Sequence, residues 1–151
     1  MRSLLDRISK SGIEVTQSVR KAMCSLHLEQ FTTYDFDGFF HDRPVVFMET
    51  ENGGVKTISA PHMIVTLLHH LELNQGQEVL VVGSKGGYIA ALIASIIGED
   101  GRVVLIDPSP EIVRHTANAL AGWPTVDLRQ VESIEVAPIE LPGELLSLIH
   151  I

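Results

Sequence analysis

The segment Val79–Tyr88, VLVVGSKGGY, constrains this chain more than any other. Four apolar residues read as a buried strand, Gly83-Ser84-Lys85-Gly86-Gly87 reads as a turn, and an apolar helix opens directly after it. Glycines let the backbone approach a ligand closely, and a helix N-terminus presents free N–H groups to it. An acid, Asp107, ends the next apolar strand, 24 positions after Gly83. A carboxylate there can accept hydrogen bonds from both hydroxyls of a ribose. Together these features predict an adenosine-type ligand at the C-terminal end of a parallel sheet. The dinucleotide fingerprint is not met, because its second glycine position holds Lys85, and no Gly-Lys-Ser/Thr closes a P-loop. Both a nucleotide-dependent oxidoreductase and a P-loop enzyme are thereby disfavoured.

The elements around this segment alternate. Arg2 to Leu26 reads as two helices interrupted at Gly12, the second with Val15, Val19, Ala22, Met23 and Leu26 at helical spacing. Cys24 is expected on that apolar face, in the core. Phe31 to Phe40 is an aromatic connector expected to cap one edge of the core. Pro44 to Met48 reads as a short strand and Asn52-Gly53-Gly54 as a turn. Pro61 opens a helix whose apolar stripe is Ile64, Leu67, Leu68 and Leu71, with Ser59 as a possible cap. Strands follow at Glu78–Val82, Arg102–Ile106 and, more weakly, Val126–Val131. Between them lie the helix Tyr88–Ile97 and a helix from Ser109-Pro110-Glu111 to Ala121, whose N-cap, proline and early acid form a strong start signal. Strand and helix in alternation predict an α/β fold with a parallel sheet and flanking helices. Leu145–Ile151 could add a fourth strand, so the sheet is expected to be incomplete at the C-terminus.

Composition narrows the function. The 151 residues suffice for one domain with a core, and 45% hydrophobic content suits a buried sheet. A net charge of −8 argues against nonspecific binding to nucleic acid. One cysteine permits no internal disulfide, which fits a reducing, cytoplasmic setting. No signal peptide or membrane span is expected, since the longest apolar run, Tyr88–Ile97, is too short to cross a bilayer. No metal site is expected: His62 and His69 lie roughly 10 Å apart along a helix, and the adjacent His69 and His70 are expected on its surface.

TISAPHM, Thr57 to Met63, is not demanded by any fold. With the segments KSGIEVTQSVRKAM, VLVVGSKGGYIAALIA and VVLIDPSPEIV, it resembles the protein-L-isoaspartate O-methyltransferase family over about residues 4 to 120. The resemblance implies a Rossmann-like class I methyltransferase fold with an N-terminal helical cap. Residues 1–56 would form the helical and connector region, and 57–151 the N-terminal part of the S-adenosyl-L-methionine-binding domain, the whole a single domain. It implies methyl transfer to isoaspartyl carboxylates of damaged proteins by a monomer. Ser59 would be the active-site hydroxyl beside the substrate carboxylate, and His62 would lie near the cofactor. Gly83, Ser84 and Gly87 would line its methionine and ribose parts, Asp107 would bind the ribose, and Lys85 would favour an anion at the turn.

The chain departs from the family on the cofactor side. Val81 stands where an acid is usual, Lys85 where a loop glycine is usual, and Val55-Lys56 where Gly-Gln is usual. A Gly-Asp-Gly turn expected after the third strand is missing from Val131–Glu144. A divergent methyltransferase with another acceptor, or a non-catalytic nucleoside- or partner-binding relative, therefore stays open. The 151-residue form is expected to bind cofactor weakly and turn over little.

Overall fold

The computed structural model describes residues 1–133 and 147–150. Two helices open the chain, α1 (Arg2–Lys10) and α2 (Gln17–Ser25), separated where Gly12 takes a φ of +95°. Thr16 caps α2 by accepting the Val19 N–H at 3.3 Å. Leu4, Leu5 and Ile8 of α1, with Val19, Ala22 and Met23 of α2, are buried. Cys24 is exposed, contrary to expectation. It follows Met23 by about 100° around the helix, which carries it off the buried stripe. The aromatic connector caps the core as expected. Phe31, and Phe39 of the short helix α3 (Asp37–Phe40), are buried and pack edge-on against Tyr88, with ring centroids 5.3 and 5.5 Å away.

Next comes a hairpin, of which the sequence marked only the first strand and the turn. Strand β1 (Val45–Glu49) pairs antiparallel with β2 (Val55–Ile58), so the TISAPHM segment begins inside a strand. A register shift between Val46 and Met48 makes a bulge at Phe47, a device that bends a strand and re-aims a side chain. The helix α4 (Pro61–His70) follows, with proline in its first turn as expected. Its cap was not foreseen. The N-cap residue is Ala60, which has no side-chain acceptor, and Ser59 does not cap the helix. Asp42 does so from another segment: Oδ1 accepts the His62 N–H at 2.8 Å, and Oδ2 lies 3.0 Å from His62 Nδ1. Asp42 holds a φ of +60°, a left-handed conformation that Asp tolerates better than most residues.

The rest is a parallel sheet with helices. Strand β3 (Glu78–Val82) leads through the glycine turn to α5 (Tyr88–Ile97), then to β4 (Arg102–Asp107), α6 (Pro110–Ala119) and β5 (Val126–Gln130). A further strand, β6 (Ser147–His150), pairs parallel with β3. Among the described residues the strand order is β5-β4-β3-β6, all parallel. The order reverses direction at β3, so the glycine turn sits at the topological switch point, where open α/β sheets bind ligands. The Val131–Glu144 stretch examined for a Gly-Asp-Gly turn lies mostly outside the described residues.

The sheet is apolar on both faces, as helix-covered parallel strands require. Val79, Val81, Val103 and Leu105 join the main core with α1, α2, α4 and α5, while Leu80, Val82, Val104 and Ile106 form a second cluster. Val81 is fully buried there. Every residue of α5 except Ser95 is buried. On α4, His70 is exposed, but His69 is half-buried rather than on the surface. Among the described residues its Nδ1 is buried without a partner, and its Nε2 lies 3.9 Å from a Glu14 carboxylate oxygen.

Two measurements check this packing. Among the described residues the Tyr88 hydroxyl is buried without a hydrogen-bond partner, and burial, then the Cys24 thiol, pushes its pKa well above the ordinary phenol range. An unsatisfied buried hydroxyl costs about 1–3 kcal/mol, so Tyr88→Phe should leave denaturant stability unchanged or raise it by about 1 kcal/mol. Asp42→Ala should lose roughly 1–2 kcal/mol in the same assay, through loss of the cap and a poorly tolerated φ. Asp42→Asn, which keeps the acceptor and tolerates that φ, should retain most of the stability.

Candidate functional site

A cleft of about 390 Å³ opens at the switch point. Gly83, Ser84 and Lys85 of the turn, Asp107 at the tip of β4 and Ile112 of α6 form one side, and Phe47, Val55, Lys56 and Thr57 of the hairpin form the other. The hairpin reaches the turn because Gly86 has no side chain. A Cβ at Gly86 would lie 2.9 Å from the ring of Phe47, the bulged residue. The tip of the hairpin is tethered to α6 by Glu111, whose Oε1 accepts the Glu51 N–H at 3.1 Å.

Asp107 organises the interior of this cleft. The residue is buried, 5% exposed, and a carboxylate so placed must be hydrogen-bonded. Its Oδ2 accepts both the Ser84 N–H and the Ser84 hydroxyl, each at 2.9 Å, and its Oδ1 accepts the Ser109 N–H at 2.9 Å. The Thr116 hydroxyl donates in turn to Ser84 Oγ at 3.1 Å. A carboxylate offers about four acceptor positions, so this network leaves room for one further donor, on Oδ1. A ribose could engage it through one hydroxyl, where the sequence suggested two. Ser84 lines the cleft, but its hydroxyl serves Asp107.

Lys85 stands in the turn with a φ of +44°, between Gly83 at +92° and Gly86 at +71°. A left-handed lysine costs about 1–2 kcal/mol, and such strain collects at functional sites. Lys85 is half-buried and Lys56 is exposed. Among the described residues neither ammonium has a hydrogen bond or an ion pair.

Of the residues singled out in the sequence, Gly83, Ser84, Lys85 and Asp107 come together in the cleft, and Ser59, His62 and Gly87 do not line it. Ser59 directly follows β2, two positions beyond Thr57. It is half-buried, and its hydroxyl has no hydrogen bond among the described residues. His62 is tied to Asp42. Gly87 is buried with a φ of +90°, and a Cβ there would meet Leu120 at 3.0 Å. It is a packing glycine between the turn and the end of α6. Sequence reasoning marked Val55-Lys56 as a departure on the cofactor side, but missed that these residues form a hairpin wall with Phe47 and Thr57, and missed Ile112 and Thr116. The one available signal was the position of the Asn52-Gly53-Gly54 turn, which Val55–Ile58 follows as a strand. A larger hollow of about 600 Å³ between α1 and α2 includes Arg2, Asp6, Arg20 and Lys21. It shares no residue with the cleft and is crossed by the Arg20–Asp6 ion pair at 2.8 Å.

The family model described as protein-L-isoaspartate(D-aspartate) O-methyltransferase matches residues 1–134. A protein-L-isoaspartate O-methyltransferase of Methanococcus maripaludis is 32% identical over 128 residues, which are 83% of this chain and 58% of that protein. The protein of the same name from Methanopyrus kandleri is 32% identical over 117 residues, 78% of this chain and 50% of its own. The chain thus spans about half the length of the curated relatives it matches. Among solved structures, a protein-L-isoaspartate O-methyltransferase superposes with a TM-score of 0.75 at 24% identity, covering 85% of this chain and 41% of that one. A Plasmodium falciparum structure of the same description, in complex with S-adenosyl-L-homocysteine, gives 0.71 at 20% identity, covering 90% and 65%. These superpositions fix the fold as that of class I methyltransferases, and the match along residues 1–134 means that this chain belongs to the protein-L-isoaspartate(D-aspartate) O-methyltransferase family.

Proposed function

We propose that this chain is the cofactor-binding part of an S-adenosyl-L-methionine-dependent methyltransferase that esterifies isoaspartyl carboxylates in proteins. The observation that carries this reading is the glycine-turn cleft at the point where strand order reverses, built from residues inside the segment the family model matches. The donor set fits a nucleoside with an amino-acid tail. Gly83 and Lys85 border the cleft, one Oδ1 position of Asp107 is open to a ribose hydroxyl, and the hairpin closes the opposite side.

S-adenosyl-L-methionine supplies a methyl group already activated by a sulfonium. An isoaspartyl carboxylate is already ionised at neutral pH. When bound, the cofactor would supply the methyl carbon, whose bond to sulfur would break, leaving the electron pair on sulfur, as the bond to the carboxylate oxygen forms, and the chain would have no proton to move. The chain's task is therefore alignment and exclusion of water, and it needs no general base. Gly83, Ser84 and Asp107 would hold the nucleoside. Ser59, with its free hydroxyl beyond β2, would donate to the acceptor carboxylate and orient it. His62, fixed by Asp42 at the start of α4, would border the cofactor without transferring a proton. A second reading, transfer to a different acceptor, draws support from Lys56 and Lys85, which alter the charge of the cleft.

Calorimetry with S-adenosylhomocysteine should give heat of binding, and its absence at near-millimolar ligand would overturn both readings. With labelled S-adenosyl-L-methionine, label should pass to an isoaspartyl peptide and not to its normal aspartyl twin. Binding without transfer to either peptide favours the second reading. Ser59→Ala should slow transfer by roughly 10- to 100-fold with little change in cofactor affinity. A collapse of affinity would contradict the role given to Ser59.

A further inference from the structure

We propose that Lys85 and Lys56 form a carboxylate-recognition site at the mouth of the cleft, and that the carboxylate they take is the one on the amino-acid end of the cofactor. The assignment rests on the nucleoside reading above and deepens it. The two lysines approach from different elements, Lys85 from the glycine turn and Lys56 from β2, yet border the same cleft. Two acids close by accept hydrogen bonds from neutral donors. Asp107 is buried and takes three hydrogen bonds from Ser84 and Ser109, and Glu111 accepts the Glu51 N–H. Among the described residues neither ammonium has an ion pair, and the two lysines outnumber the one carboxylate, Asp107, that lines the cleft with them.

Two like charges sharing a cleft raise its potential and favour an anionic ligand there. The left-handed φ of Lys85 adds to this. Glycine would hold the same backbone without strain, so the lysine is present at a conformational cost, and the side chain is the one thing that cost brings. A ribose diol has no charge for an ammonium to recognise, whereas a carboxylate accepts charge-assisted hydrogen bonds from it. Because Lys85 belongs to the turn that borders the nucleoside, a carboxylate covalently attached to that nucleoside is the one within its reach.

The test compares S-adenosylhomocysteine with its decarboxylated analogue by calorimetry on the 151-residue chain, with no acceptor present. The unmodified chain should prefer the carboxylate-bearing compound. Lys85→Gly and Lys56→Met should each weaken it by about tenfold while leaving the analogue unchanged, and Lys85→Arg should keep the preference. Lys85→Gly relieves backbone strain and should melt no lower than the unmodified chain, so a loss of affinity cannot be assigned to unfolding. Equal effects on both compounds, or none on either, would overturn the assignment while leaving the nucleoside reading intact. Failure of the unmodified chain to bind either compound would overturn both. If the lysine variants instead raise the KM of an isoaspartyl peptide with the ratio of the two affinities unchanged, the carboxylate recognised is the acceptor's and the assignment is wrong.

Discussion

The buried carboxylate of Asp107 is the joint on which this site depends. It joins the tip of its own strand β4 and the start of α6, through Ser109, to the glycine turn after β3, 23 residues away, through Ser84. Thr116 extends the network into α6 through the Ser84 hydroxyl. A carboxylate removed from water is tolerable only when such donors replace its hydration. The same donors hold the turn against the sheet edge where the cleft opens. Most of the carboxylate's lone pairs are thus committed to the scaffold.

Space is the second constraint. The hairpin β1–β2 comes down onto the turn because Gly86 lets the Phe47 ring approach and a bulge re-aims that ring. Gly87 similarly admits Leu120. Two of the glycines in the turn therefore serve helix and hairpin packing, and Gly83 is left as the glycine facing the cleft. Charge then distinguishes this cleft. Two lysines, Lys56 and Lys85, share the cleft with one carboxylate, Asp107, on a chain whose net charge is −8.

Much of the fold was legible because its signals are local. The strand Glu78–Val82 and helix Tyr88–Ile97 have the bounds that their apolar runs and glycine stops implied. Ser109 caps α6 as its sequence position required, accepting the Ile112 N–H at 3.4 Å. What was not legible depends on partners far along the chain. The cap of α4 comes from Asp42, 20 residues away, and no reading of Ser59-Ala60-Pro61 could supply it. Cys24 was misplaced because it adjoins a buried residue on a helix, where a step of one residue turns away from the core. The strand Val55–Ile58 was missed because four residues, of which only Ile58 is buried, carry too little alternation to announce themselves.

By itself the sequence determined the element order, the α/β class, the family, and the placement of glycine turn and acid at adjacent strand ends. These follow from hydrophobic period, turn chemistry and motif spacing, all of which act over a few residues. Only the tertiary structure decided that the Asp107 carboxylate is largely occupied, that Gly86 and Gly87 are packing glycines, and that Lys56 faces the same cleft as Lys85. Each of these depends on which side chains meet across the sheet and hairpin. Such meetings are set by long-range packing and by the competition of donors for a fixed number of lone pairs, neither of which is written in any local stretch of the chain.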